Sequence, residues 1–305
     1  MMNNISLRHW RSFEAAAAFG SFSRAAEALE ITQPAVSMQL RQLEEAVGAG
    51  LFDKQARPMQ LTPSGQALLR HARAILSEVR IAEDAVAALA TGRKGLLHLG
   101  MVTPANYFAP QLIRLLRRRY PELQLDVRID KRDVLLAQLA EYRLDLAITG
   151  YPPAEADVDA TTFAHHPHLL VAAVDHPLAS TPQVEWAQLA HEPMVLRERG
   201  SATRQFMEHL LQARSLRPPI AAELQGSETV KHAVMAGLGL TLISAHAVQV
   251  ELEAGRLAVL RLPEMPKRLD WCILHRRDRA LTPEARTLRD LLVAEGSILT
   301  ACRID

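Results

Sequence analysis

Two groups of residues in this sequence could do chemistry. The first is the polar set Gln33, Ser37, Gln39, Arg41 and Gln42, all within the stretch ITQPAVSMQLRQLEEAVGAGLF, residues 31–52. Neutral amides and hydroxyls both donate and accept hydrogen bonds, whereas lysine only donates and ionised glutamate only accepts. A face of this kind suits the mixed donor and acceptor edges of base pairs and the phosphates beside them. The second group consists of hydroxyls placed where apolar runs give way to helix-forming ones. Thr103 stands with Pro104 and Asn106 in LGMVTPANYFAP, Ser201 with Thr203 and Arg204 in LRERGSATRQF, and Ser227 in LQGSETV. Hydroxyls beside the free N–H groups of a helix start favour a small anion, carboxylate or phosphate. Taken singly, each is more simply a helix N-cap; three of them in one fold predict that at least one touches a ligand.

The elements that must position these residues are legible from spacing. Leu7, Trp10, Phe13 and Ala17 recur at helical intervals, and Ser23 can N-cap a second helix containing Ala25, Ala26, Ala28 and Leu29. After a turn at Glu30 to Thr32, Thr32 can cap a third helix, with Pro34 tolerated in its first turn and Gly48 as its stop. Val36, Leu40, Leu43 and Val47 form the buried stripe of that helix and leave the polar set around its solvent side. The segment LFDKQARPMQLTPSGQ, punctuated by Pro58 and Pro63, reads as an extended wing bearing Arg57. Residues 64–91 read as a long helix whose Leu68, Ile75, Val79, Ala82, Val86 and Leu89 form an apolar stripe in need of a partner. Together these elements describe a dimeric winged helix-turn-helix, in which pairing spaces two recognition helices along double-stranded DNA.

After TGRKG the pattern changes. Apolar runs (LLHLGMV, LQLDV, LDLAITG, HLLVAAV, PMVLR, AAELQ, LTLIS and LDWCIL) alternate with helical stretches such as 107–120 and 228–235. Strand and helix in alternation predict a parallel sheet in an α/β domain.

Bulk properties narrow the function classes. The length of 305 residues allows two domains, and 35 Lys+Arg against 34 Asp+Glu gives a formal charge of +1, so contact with nucleic acid must be local. Residues 1–62 carry six basic and six acidic side chains, so affinity for DNA has to come from several copies acting together. Two cysteines, Cys272 and Cys302, fit neither a disulfide framework nor a metal spacing, and the start shows no secretory pattern. No apolar run reaches the length of a membrane span, so a cytoplasmic protein without membrane contact is expected. His165, His166 and His168 invite a metal reading, but adjacent imidazoles on a strand point to opposite faces and no carboxylate or cysteine cluster accompanies them. MAGLGLTLIS lacks the glycine order of a dinucleotide loop, and GxSxG, HExxH and Cys–His constellations are missing, which argues against an enzyme. A solute-binding module alone would leave residues 1–62 unexplained.

The stretch FGSFSRAAEALEITQPAVSMQLRQLEEAVGAGLFDKQARPMQLTPSGQALL resembles the N-terminal signature of LysR-type transcriptional regulators. It has the alanine-rich second helix, the QPAVS recognition-helix start, the glycine-containing exit to LF and the arginine-to-LT wing. That resemblance implies that Gln33, Ser37 and Arg41 reach bases or phosphates and that Arg57 enters the flanking minor groove. The candidate DNA-binding set is therefore Ser23, Arg24, Gln33, Pro34, Ser37, Gln39, Arg41, Gln42 and Arg57.

The family couples such a head to a two-lobed effector domain like that of periplasmic binding proteins. The implied division is a winged helix-turn-helix over 1–62, a linker helix over 63–92 and an α/β effector domain over 93–305. Lobe I would take 93–164 and 268–305, and lobe II 165–267. VTPANYFAPQLI, LDLAITGYPP and HPHLLVAAVDHPLA further resemble the CbbR group, which regulates Calvin-cycle carbon-fixation (RuBisCO) operons. The resemblance implies an operator on double-stranded DNA, self-association as homodimer or homotetramer, RNA polymerase as a further partner, and no cofactor. The effector would be a phosphorylated or carboxylated metabolite or a nicotinamide cofactor. Thr103, Pro104, Asn106, Lys131, Ser201, Thr203, Arg204 and Ser227 are its candidate contacts, with Lys131 or Arg204 supplying charge. Lys131 and Arg132 replace an asparagine–arginine pair of the relatives, and Arg199 and Ala202 alter their REPGSGTR-like loop. A LysR-type regulator of another metabolic operon with a similar sensor is the alternative.

Overall fold

The computed structural model describes residues 4–53, 56, 59–91, 95–150 and 157–302, with the backbone alone for 88–91. The chain divides into two compact units, Met1–Gly95 with Glu141–Arg143, and Leu96–Ala140 with Leu144–Asp305.

The first unit begins with three helices, α1 (Leu7–Phe19), α2 (Phe22–Ala28) and α3 (Gln33–Val47). Two short antiparallel strands follow, β1 (Phe52–Asp53) and β2 (Gln60–Leu61), and then the long α4 (Pro63–Thr91). Trp10, Phe13, Ala16, Ala25, Ala26, Val36, Leu40 and Leu43 share one core with Leu51 and Phe52. The rings of Phe13 and Phe22 both meet Phe52 edge-on, at 5.6 and 5.5 Å between centroids. Thr32 caps α3 through its hydroxyl and Gly48 ends it in the left-handed conformation, as the sequence predicts.

The cap of α2 is Ser21 and not Ser23. Gly20 closes α1 at φ +59°, so the chain is already extended at the next residue, and the Ser21 hydroxyl accepts the Arg24 N–H at 3.4 Å. Ser23 stands exposed inside the first turn.

Thr62 fastens the wing to α4. The Thr62 hydroxyl donates to the Gly50 carbonyl at 2.7 Å and accepts the Gly65 N–H at 3.0 Å, while the Thr62 N–H reaches the Leu51 carbonyl. Gly65 lies so close that a Cβ there would stand 2.1 Å from the Leu51 oxygen. Along α4, Leu68, Leu69, Ala72 and Leu76 face this core. Leu68 therefore does not belong to the outward stripe. Ile75 and Ala82 are exposed, Val79 is half-buried, and Val86 is 67% exposed. Leu89 has its side chain outside the described residues, as have Arg57 and Pro58 of the predicted wing.

The second unit contains β3 (Leu96–Val102), α5 (Ala109–Arg119), β4 (Gln124–Asp130), α6 (Arg132–Ala140), β5 (Leu146–Thr149) and β6 (Val158–Ala173). After these come β7 (Met194–Arg197), α7 (Ala202–Gln212), β8 (Ile220–Leu224), α8 (Ser227–Met235), β9 (Thr241–Ser244) and α9 (Ala245–Glu253). It closes with β10 (Leu257–Val259), β11 (Lys267–Arg276) and α10 (Pro283–Leu299). One sheet runs β10-β6-β11-β5-β3-β4, with β9 also on β6, and β7 pairs separately with β8.

The sheet is mixed and not parallel throughout. β3, β4 and β5 are parallel, but β6 is antiparallel to β9, β10 and β11, and β11 to β5. The chain leaves the first half of the unit along β6 and returns along β11, and two strands that cross in opposite senses side by side must pair antiparallel. Each half has its own interior. Leu99, Phe108, Leu112, Leu135, Ile148, Trp271 and Leu288 fill the first. In the second, Leu170 and Ala172 of β6 face one cluster, and Leu169 and Val171 face another. That two-sided burial is why HLLVAAV is apolar without alternation.

Two outcomes follow. Gly65→Ala should lower the stability of the first unit by about 1–3 kcal/mol, because the added methyl meets a backbone oxygen that cannot yield; urea titration of the full chain checks it. Val86→Asp should leave that midpoint unchanged but shift the sedimentation coefficient to a smaller species, since an unpaired charge in an apolar seam is costly. An unchanged assembly would exclude the α4 stripe as a seam between copies.

Candidate functional site

Helix α3 sorts its side chains by direction. Val36, Leu40 and Leu43 are buried. Gln33, Pro34 and Arg41 are exposed, Ser37 is partly exposed, and the Gln33 amide donates to the Ser37 hydroxyl at 2.9 Å. Gln39 is turned partly inward, while Gln42 stays exposed with its Oε1 engaged. The buried Ser12 hydroxyl of α1 donates to Gln39 Oε1 at 2.5 Å, and His9 Nε2 donates to Gln42 Oε1 at 2.9 Å. Because α1 presents Ser12 and His9 there, it draws Gln39 partly inward and holds Gln42 at the edge of the open face. Met38 stands on the open face, 56% exposed. Its residue type hides it, since a methionine at helical spacing reads as core. Ser23 and Arg24 are exposed in the first turn of α2, with the Arg24 guanidinium 5.4 Å from the Phe19 ring centroid.

The second unit has a narrow cleft between its halves. It is lined by Thr103, Pro104, Lys131 and Gly150 from one half, Arg197, Glu198, Ser201 and Thr203 from the other, and His166, His168 and Leu269 from the two crossing strands. Five of the eight predicted contacts thus come together: Thr103, Pro104, Lys131, Ser201 and Thr203. Ser201 occupies the N-cap position of α7, yet its hydroxyl makes no capping bond. The Thr103, Ser201 and Thr203 hydroxyls have no hydrogen-bond partner and the Lys131 ammonium no ion-pair partner among the described residues.

Three predicted contacts lie elsewhere. Asn106 is exposed, away from the cleft lining. The Arg204 guanidinium is held by Glu208 at 2.6 Å, Glu223 at 2.9 Å and the Arg197 carbonyl at 2.8 Å. Ser227 is the first residue of α8, not its cap, and its hydroxyl accepts Arg197 Nη1 at 2.9 Å. Arg197 itself is neutralised within the wall by two 2.9 Å bonds to Glu198. Burial pushes the Glu198 carboxyl up, but the Arg197 pairing and the Gly226 N–H outweigh it and bring it down to about 2. The cleft therefore presents Lys131 as its cation without a partner, beside the α7 N-terminus and three open hydroxyls.

Of the three histidines on β6, His165 points outward, 3.2 Å from Asp270. His166 and His168 are buried in the cleft wall, and neither composition nor spacing signalled that. Burial holds His166 well below the usual imidazole range and His168 at about 4. The described residues include no group of three or more His, Cys, Asp or Glu able to hold a metal ion, and no helix long and apolar enough to cross a membrane.

A helix-turn-helix head, a long helix with an apolar outer stripe and a two-lobed α/β body with a polar cleft define a ligand-responsive DNA-binding regulator. The chain belongs to the LysR family of transcriptional regulators and is not an enzyme. Residues 7–66 match the family described as bacterial regulatory helix-turn-helix protein, lysR family, and residues 90–297 the LysR substrate binding domain. It is 36% identical over 301 residues to the RuBisCO operon transcriptional regulator of Allochromatium vinosum, covering 99% of each chain. It is 38% identical over 299 residues to the HTH-type transcriptional regulator CbbR of Xanthobacter flavus, covering 97% of this chain and 90% of that one. Among solved structures, the regulatory domain of CcmR from Synechocystis in complex with 2-PG superposes with a TM-score of 0.63 at 27% identity, over 65% of this chain and 96% of that one.

Ser37→Ala and Arg41→Ala should each weaken binding to an operator fragment selected from random sequence by about 1–3 kcal/mol, with stability unchanged. Gln39→Ala should lower the unfolding midpoint and leave base preference intact. Mobility-shift titrations at matched salt, with a urea curve for each variant, check both outcomes.

Proposed function

We propose that this chain controls a carbon-fixation operon in response to a small anionic metabolite held in the cleft of its effector domain. The relatives with RuBisCO-operon and CbbR names support the target, since the likeness runs the length of both chains. One observation carries the effector class: the unpartnered Thr103, Ser201 and Thr203 hydroxyls and the Lys131 ammonium converge beside the first turn of α7. Hydroxyl donors, free backbone N–H groups and one cation together favour a phosphate or carboxylate.

In this reading the chain divides into a head over 1–62, a linker helix over 63–92 and an effector domain over 93–305, and it works as a homotetramer. Ser23, Arg24, Gln33, Pro34, Ser37, Arg41, Gln42 and Arg57 meet the operator, and Met38 adds an apolar contact of the kind a thymine methyl accepts. A ligand bridging the two halves of the cleft favours one spacing of those halves over another. The effect reaches the heads as a change in how the DNA is held.

Calorimetry with 2-PG and other phosphate and carboxylate metabolites tests this on wild type, on Lys131→Ala and on the Thr103→Val/Ser201→Ala pair. Binding should fall at least about tenfold in each variant, the loss of one or two hydrogen bonds to a charged group, and footprint length should change more than operator affinity. A ligand that binds all three proteins equally removes the pocket.

A further inference from the structure

The cleft wall contains a hydrogen-bonded chain whose direction is fixed at its buried end. The Thr300 carbonyl can only accept, so His246 Nε2, 2.8 Å away, carries a hydrogen. His246 is held neutral by burial, which leaves its Nδ1 an acceptor for the Ser244 hydroxyl at 3.3 Å. With its hydrogen so committed, the Ser244 oxygen accepts His166 Nε2–H at 2.9 Å. Keeping both bonds in the reverse order would require a doubly protonated His246 in a buried site. His166 is therefore the Nε2–H tautomer, and its Nδ1 keeps a bare lone pair. That atom is buried and has no hydrogen-bond partner among the described residues.

Three contacts hold this lone pair in place. The His166 ring stacks on Trp271 at 3.8 Å with 13° between planes, and the His168 ring lies 4.3 Å away. Gly150, also in the cleft wall, packs against the same nitrogen: a Cβ at that position would stand 2.9 Å from His166 Nδ1. His168 repeats the logic. Its Nδ1 donates to the His166 carbonyl at 3.2 Å, so in the neutral ring its Nε2 is an acceptor as well. The wall thus pairs an anion-attracting end, Lys131 with the hydroxyls of α7, with imidazole acceptors that repel a bare oxyanion.

From this we infer that the effector is a hydroxylated anion, such as a polyol phosphate or a hydroxy acid, whose hydroxyl donates to His166 Nδ1 while its charged group takes the Lys131 end. The inference rests on the effector-cleft reading above and narrows its ligand class. A phosphate or carboxylate without a hydroxyl would leave the buried acceptor unpaired, and sites built to bond a hydroxyl discriminate strongly against analogues that lack it.

The test uses matched probes on the full-length chain by calorimetry: glycerol 3-phosphate against propyl phosphate, and glycerate against propionate. Wild type should bind the hydroxylated member of a pair more tightly by on the order of tenfold or more. His166→Phe, which keeps an aromatic ring on Trp271, should bring the pair together by weakening the hydroxylated member alone. Gly150→Ala should do the same with the histidine intact, by closing the approach to Nδ1, and serves if His166→Phe does not fold. Lys131→Ala should weaken both members alike. Equal affinity within each pair in wild type, or a preference that survives both His166→Phe and Gly150→Ala, overturns the inference and leaves the anion cleft standing. Failure of all four probes to bind wild type overturns the cleft reading and the inference with it.

Discussion

The antiparallel pairing of β6 with β11 is the constraint on which the effector domain depends. β6 is 16 residues long, pairing with β11 through its first part and with β9 and β10 through its last. It contributes to the core of both halves. A two-lobed body needs its connections to cross between lobes, and a buried crossing must satisfy every backbone N–H and C=O. Two strands laid side by side do that for each other. Where they cross, Trp271 of β11 stacks on His166 of β6, so the register of the ladder also sets the inner wall of the cleft.

The charges of the domain are mostly spent on one another. Arg197 with Glu198, and Arg204 with Glu208 and Glu223, are pairs in which the arginine is buried. Burying a guanidinium without a partner is expensive, so arginines beside the cleft are structural where geometry offers a carboxylate. Lys231 repeats the arrangement with Glu228 and Glu251, each at 2.9 Å, and the Tyr107 hydroxyl donates to the same Glu228 at 2.5 Å. Burial first, then the bond to Glu228, pushes that phenol far above its ordinary range. Tyr107 follows β3 in the first half and Glu228 stands on α8 of the second, so this contact ties the two halves. What these pairings leave without a side-chain partner in the cleft, among the described residues, includes the Lys131 ammonium and the Thr103, Ser201 and Thr203 hydroxyls.

In the head the governing contact is smaller. The Thr62 hydroxyl and the close approach of Gly65 to the Leu51 carbonyl bind the wing to the start of α4. Phe52, wedged between Phe13 and Phe22, ties the same wing to α1 and α2. α3 is held from behind by this cluster and from the side by Ser12 and His9. Its outer face is left to Gln33, Pro34, Ser37, Met38, Arg41 and Gln42.

The sequence by itself determined most of the elements, because helical and strand periods, caps and glycine stops act over a few residues. Thr32, Gly48, the α3 stripe and all eight apolar runs became the predicted elements. It also determined the family, since a long local signature needs no tertiary knowledge. The tertiary structure decided which polar groups remain free. Gln39 differs from Ser37 in what α1 places opposite it, the buried Ser12 hydroxyl. Arg204 and Ser227 are consumed by Glu208, Glu223 and Arg197, partners brought near by the fold, while Ser201 and Thr203 are not. His166 and His168 read as an idle pair on a strand until β11 and β9 supply Trp271 and Ser244. A side chain's availability is set by whatever the fold packs against it, and contacts between residues far apart in the chain leave no periodic mark in the sequence.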